Sequence, residues 1–197
     1  AQTYSGLETE SIDRVTDFFR TEADEKWIPL IHQDHMLGVS ILPRKGYGNL
    51  ARLVVEIDSP IEERAAHEYQ CVSRARIAKF HTFEFGELRT VTEENQHSMI
   101  NQSVYDYRVV GIPPFLFETR CIWKRIDKNN MVITYDPTDL NISELERGTR
   151  ATITELIHYV AIGPRRSRVT VYNQFGVQGY FPFKLSNRPS AILSRFD

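Results

Sequence analysis

Between residues 83 and 177 the chain reads as six successive extended segments, 83–92, 97–110, 119–126, 131–135, 149–162 and 168–177, rich in β-branched and aromatic residues. Short polar stretches separate several of them. Glu93-Glu94-Asn95, Asp127-Lys128-Asn129-Asn130 and the run from Gly163 to Ser167 carry the Asp, Asn, Gly and Ser that turns use. Strands joined so briefly pair with their sequence neighbours, which predicts an antiparallel meander. Two earlier segments, 39–42 and 50–57, flank the glycine-bearing turn at 45–49 and bring the sheet to about eight strands. A sheet of that size must bury one face, and its twist curls it around whatever covers that face. Few helical segments are available for this, so the curl predicts an enclosed apolar cavity, and that cavity is the candidate site.

The helical signals are local. Ile12, Val15, Phe18 and Phe19, then Trp27, Ile28 and Ile31, recur at helical spacing and predict an amphipathic helix over 11–31. Glu8, Glu10 and Asp13 lie near its start, where the helix dipole favours them, and Pro29 falls near its end. Asp58-Ser59-Pro60 predicts a second helix, with Ser59 as cap, Pro60 at the first position, and Ile61, Ala65, Tyr69 and Val72 on its apolar side. Residues 189–196 predict a short third one. The order is therefore helix, two strands, helix, about six strands, helix, an α+β arrangement expected to form one domain over 1–197.

Charge and composition exclude several classes. Lys and Arg number 24 against 26 Asp and Glu, so the chain lacks the basic excess of a nucleic-acid binder, and no nucleic-acid partner is expected. With 41% hydrophobic residues it is not a disordered chain. Its longest apolar run, 109–117, holds a glycine and two prolines and is far shorter than the roughly 20 residues that span a bilayer. No signal-peptide pattern opens the sequence, and Cys71 and Cys121 fit no metal or redox spacing. Free buried thiols in a reducing, cytoplasmic setting are the expectation, in a monomer.

Familiar chemical motifs are weak here. Gly46-Tyr47-Gly48 opens a string like a dinucleotide fingerprint, but a strand follows where that motif needs a helix, so it reads as a hairpin turn. His32, Asp34 and His35 lack a further ligand nearby, and His67-Glu68 is not followed by a second histidine, so no metal is assigned. Without a nucleophile elbow or a P-loop, no catalytic residue and no cofactor is assigned either. Glu84, Glu87, Asp106 and Glu155 lie on extended segments and are the acids to consider if the protein is an enzyme. Arg165, Arg166 and Arg168 crowd one turn, a candidate contact for an anionic membrane surface or simply a solvated turn.

Four local features add a resemblance. A Trp-bearing N-terminal helix leads into two strands; PPFLFETRCIWKR at 113–125 joins a proline-rich connection to a strand, with Arg120 near its start; Thr149-Arg150-Ala151 opens a late strand; and Val169-Thr170-Val171 precedes the exit Gly179-Tyr180-Phe181-Pro182. In this order they resemble the lipid-binding START (StAR-related lipid-transfer) domain. The resemblance implies a helix-grip fold, in which the curved sheet wraps a C-terminal helix around a large apolar cavity, and binding of a lipid, sterol or fatty-acid-like ligand for transfer or sensing. Cys121 and Gly176 stand where relatives carry aspartates, and Tyr107 and Ile126 stand where sterol binders carry a buried acid and arginine. A charged pair of that kind is therefore not expected.

Strand alternation then gives the pocket candidates Tyr105, Tyr107 and Val109, Ile122 and Ile126, Ile133, Ile153 and Ile157, and Asn173 and Phe175. Arg120 is expected to orient a head group or to pin the connection by bonding backbone carbonyls. Phe115 and Phe117, placed in the proline connection, are expected to touch membrane together with Arg165 and Arg166, or to be core. With the C-terminal segment they form the expected gate. The alternatives are a helix-grip enzyme of the cyclase or hydratase kind acting on a hydrophobic small molecule, and a protein-docking module with a vestigial pocket.

Overall fold

Alternating apolar residues along long strands dictate a sheet with two different faces, and the computed structural model shows how each is covered. It describes residues 3–20, 26–30, 36–44, 49–70, 86–106, 114–138 and 149–177. The elements are α1 (Gly6–Arg20), β1 (Ile28–Pro29), β2 (Met36–Leu42), β3 (Leu50–Ile57), α2 (Ile61–Tyr69), β4 (Gly86–Asn95), β5 (Ser98–Tyr105), β6 (Phe115–Arg125), β7 (Asn130–Pro137), β8 (Thr149–Gly163) and β9 (Arg166–Val177). They build one nine-stranded sheet in the order β1-β2-β3-β9-β8-β7-β6-β5-β4. The expected six-strand meander is β4 to β9, with β1 to β3 added along β9. This is the α+β, curved antiparallel sheet that the sequence predicts. The C-terminal helix and the exit at 179–182 lie outside the described residues.

One parallel contact shapes the sheet. β7 ends at Pro137, opposite Thr119 of β6. Beyond that point its two neighbours, which run the same way because each is antiparallel to β7, pair directly at Phe115 with Thr149 and Leu116 with Arg150.

Register assigns side chains to faces. Ile133 pairs with Ile157, Ile157 with Val171 and Val171 with Leu53, and all four join Ile61 and Ala65 of α2 in one core cluster. One residue over, Thr134 pairs with Leu156, Leu156 with Tyr172 and Tyr172 with Arg52. Leu156 packs with Val15 and Phe19 of α1, and Phe18, Trp27 and Tyr172 border that cluster. The two helices therefore lie on opposite faces of the sheet.

α1 starts earlier than its apolar spacing suggests. Glu8 N donates to Ser5 Oγ at 3.3 Å and Ser5 N donates to Glu8 Oε2 at 2.6 Å, a reciprocal cap that satisfies two donors left open at the helix start. The expected span 11–31 is corrected at its far end as well. Ile28 and Pro29 form β1, and Trp27 leaves the helix to pack its ring 6.2 Å from Tyr172 with the Arg52 guanidinium 4.8 Å away over its face. Helical spacing carried across that break was coincidence. α2 begins where expected, but Ser59 is no cap: Pro60 takes that position without a side-chain bond, and the Ser59 hydroxyl donates to Pro60 O instead.

The larger correction concerns the proline connection. Phe115 to Glu118 belong to β6, with Phe115 opposite Tyr105 and Phe117 opposite Ser103. Phe115 is 2% exposed and Phe117 1%, so neither stands in a loop where it can touch a membrane or swing as a gate. Proline forbids its own N–H bond and biases the residue before it, but it puts no limit on the residues that follow. β6 accordingly starts directly after Pro114.

Candidate ligand-binding site

Among the described residues, the face that α2 partly covers presents a broad apolar surface, and its residues come from alternate positions of several strands. At one end α2 seals it. Ile61 and Ala65 pack on Ile133, Ile157 and Tyr159, and the Tyr69 ring meets Trp123 edge-on at 6.5 Å. At the other end, near the parallel contact, Phe115, Phe117 and Ala151 are packed against Tyr105, Ile153 and Phe175. The rings meet at angles: Tyr105 and Phe117 at 5.1 Å, Phe115 and Phe175 at 5.9 Å, Phe117 and Phe175 at 5.3 Å. Edge-to-face arrangements of this kind favour a stiff aromatic wall.

Between the two ends the same face turns polar. Glu155 stands between Ile153 and Ile157 in the alternation of β8 and is fully buried. Across the β8–β9 ladder it faces Asn173, whose Nδ2 donates to Glu155 Oε2 at 2.6 Å. Asn101 of β5 and Thr119 of β6, register partners and both buried, continue the polar zone on that face.

The candidate residues divide accordingly. Tyr105, Ile133, Ile153, Ile157, Asn173 and Phe175 share the α2 face, with Ile133 and Ile157 beneath the helix and the other four toward the aromatic end. Ile122 does not share it. It pairs with Thr134, two ladder steps from Tyr172, and so belongs to the α1 face. Arg120 has the same parity, and Ile126 lies past the end of β6 in the turn, 56% exposed. The expectation for these three is corrected by the register of β6, whose odd positions, not its even ones, face α2. Tyr107 and Val109 lie outside the described residues.

Arg120 neither orients a head group on the α2 face nor bonds loop carbonyls. Its guanidinium forks onto Glu94 of β4, Nε to Oε2 at 3.0 Å and Nη2 to Oε1 at 3.0 Å, and the Ser98 hydroxyl donates to the same carboxylate at 2.7 Å. Bonding from Arg120 is the main reason that Glu94 titrates below the usual carboxylate range, against a smaller upward push from burial. The pair is one part of a polar seam under α1. Ser11 Oγ donates to Asp136 Oδ2 at 2.7 Å, Arg14 closes on the same carboxylate, and Asn95 Nδ2 donates to Glu8 Oε1 at 2.8 Å with His97 Nε2 3.1 Å from that oxygen. Burial raises the proton affinity of Glu8, but Asn95, Ser5 and His97 together hold it below the ordinary value.

The arginine turn is similarly committed. Arg166 and Arg168 both bond Glu56 of β3, at 2.7 and 2.9 Å, which leaves Arg165 exposed beside them. Gly176, where relatives in the resemblance carry an aspartate, has a local reason: a Cβ there would lie 2.5 Å from Thr152 Oγ1. Alternation alone places Glu155 inward, but its bond to Asn173 depends on the β8–β9 register, which sequence does not display.

No protein-family model and no curated protein matches the chain. Solved structures do. Human StAR-related lipid transfer protein 5 aligns with a TM-score of 0.73 at 13% identity, over 98% of this chain and 94% of that one. The human StarD13 (DLC2) lipid transfer and protein localization domain aligns at 0.68 and 14% identity, over 99% and 96%. Human STARD10 aligns at 0.67 and 13% identity, over 100% and 80%. At such identities the likeness concerns the fold, and the fold is that of the StAR-related lipid-transfer, helix-grip class. No described helix is long and apolar enough to cross a membrane.

Proposed function

We propose that the chain is a single lipid-binding domain that holds a hydrophobic ligand against the α2 face of its sheet, for transfer or sensing. The observation that carries this reading is the aromatic and aliphatic wall of Tyr105, Phe117, Ile153 and Phe175, built on a sheet whose solved likenesses include domains named for lipid transfer. Burying a tail on such a wall is favoured by about 25 cal/mol per Å2 of apolar surface, while a few polar groups select the head. Ile133 and Ile157 back the wall under α2, and Asn173 stands at its polar edge. The reading assigns no catalytic residue and no cofactor, and takes Glu155, bonded to Asn173, as a polar group at the edge of the wall. The ligand reaches the wall from a cytoplasmic setting, and the protein acts as a monomer.

Native mass spectrometry of freshly purified protein, followed by lipid extraction, tests the proposal. A reproducible added mass that leaves with organic solvent is the expected result. A bare polypeptide mass together with no binding of the apolar dye Nile red would overturn it.

A further inference from the structure

α2 is a short element with an open start. It has nine residues, and Pro60 stands at its cap position without a side-chain bond, so on its own it would be marginal. The end of β6 grips it at both ends. Trp123 meets the ring of Tyr69, the last residue of the helix, and Arg125, two residues further along the same side of β6, bonds Glu62 in the first turn. The guanidinium is itself held, because its Nη1 donates to Asp127 O at 3.4 Å and to Lys128 O at 3.2 Å. Asp127 closes that turn, its carboxylate accepting from Asn129 N at 2.7 Å and from Asn130 Nδ2 at 2.8 and 2.9 Å. An arginine whose fork is committed on two sides is a fixed post, unlike a surface charge on a loose stem. Its bond is also the main reason that the Glu62 carboxyl lies below the usual carboxylate range.

We infer that Arg125 is the positioning residue that fixes the first turn of α2 over the ligand face, and that opening its bond to Glu62 speeds ligand exchange. The inference rests on the lipid-binding reading above and deepens it. Of the two ends of that face, the aromatic one is built from side chains on the strands themselves, Tyr105 on β5, Phe115 and Phe117 on β6 and Phe175 on β9, which the sheet holds in register. α2 closes the other end from outside the sheet, so it is the cover that can yield. Ile61 and Ala65 hold it through apolar contact with Ile133, Ile157 and Tyr159, and such contact has little directional preference. The bond from Arg125 does have a direction, and it acts on the residue next to Ile61. It therefore sets where the apolar side of the helix comes to rest, and a ligand leaving at this end must wait for it to open.

The test uses the whole chain stripped of lipid and loaded with Nile red, with release into excess phosphatidylcholine vesicles followed by stopped flow. Arg125→Met and Glu62→Gln, checked for folding by their thermal transitions, are each expected to release the dye about threefold faster than wild type, the order of effect that a partly exposed ion pair carries. The double variant is expected to release no faster than either single one, because both substitutions remove the same bond; a general loosening of the fold would instead multiply the two effects. Glu62 is largely exposed, so its variant decides the matter even if Arg125→Met fails to fold. Release at the wild-type rate in Glu62→Gln, or two effects that multiply in the double variant, would overturn the positioning role and leave lipid binding standing. Absence of dye binding in the wild type would remove both.

Discussion

The two faces of the sheet use the same strands and differ in what holds their helices. On the α1 side, polar side chains at even positions of β6 and β7, among them Arg120 and Asp136, meet partners from α1 and the β4–β5 turn: Ser11 and Arg14 on Asp136, Glu94 on Arg120, Asn95 and His97 on Glu8. On the α2 side the odd positions are mostly apolar outside the zone of Asn101, Thr119, Glu155 and Asn173, and α2 is held chiefly by Ile61 and Ala65 packing on Ile133, Ile157 and Tyr159, with Arg125 bonded to Glu62. A polar seam fixes a helix in one geometry, because each bond has a length and a direction. Apolar contact is less directional, and it is the face held this way that provides a surface for another apolar molecule.

That contrast can be broken or sharpened by substitution. The largest effect is expected for Ile157→Ala, a fully buried side chain beneath α2, with a loss of about 2–5 kcal/mol in chemical denaturation. Smaller losses would mean that the α2 side is loosely packed. Asp136→Ala removes the acceptor of Ser11 and Arg14 and should cost about 2 kcal/mol; a near-neutral result would show that Val15 and Phe19 hold α1 without the polar seam. Ser5→Ala deletes the reciprocal cap and should cost about 1 kcal/mol, with a loss of helical circular dichroism confined to α1.

The smallest effect is on pH dependence. His158, on the α1 face of β8 and bonded to Asn130 Oδ1 at 3.2 Å, is held below the ordinary imidazole value by burial, against a lesser upward pull from Asp127. The unfolded chain therefore binds this proton more readily than the folded one, so stability is lost as pH falls through the ordinary value of 6.5 and the loss ends below the depressed folded value. Comparison of wild type with His158→Gln between pH 7.5 and 5.5 should show a shallower decline in the variant. A steeper one would reverse the assigned sign.

The sequence exposes some of these features and conceals others for physical reasons. Residues 50–57 read as a strand and form one, and 149–162 is almost the whole of β8, because long β-branched runs bounded by turn residues leave few alternatives. The placement of Ile153, Ile157, Asn173 and Phe175 on one face follows from period-two alternation once their strands are known. β6 resisted the same reasoning. Pro113 and Pro114 hide its start, and without a start the choice between odd and even positions has no anchor, so alternation alone does not show that Ile122 and Arg120 face α1. The bond from Arg120 to Glu94 spans 26 residues and depends on two registers, β4 with β5 and β5 with β6. The start of α1 was legible in Ser5 and Glu8, whose spacing is that of a reciprocal cap, although apolar periodicity alone points further along the chain.

The central claim is that ligand lies on the α2 face, and isoleucine methyl NMR tests it most directly, since Ile153 lies on that face while Ile122 and Ile126 do not. On titration of lipid-free protein with Nile red, the account predicts large ring-current shifts at Ile153 and unchanged signals from Ile122 and Ile126. Shifts at Ile122 with Ile153 unmoved would contradict it.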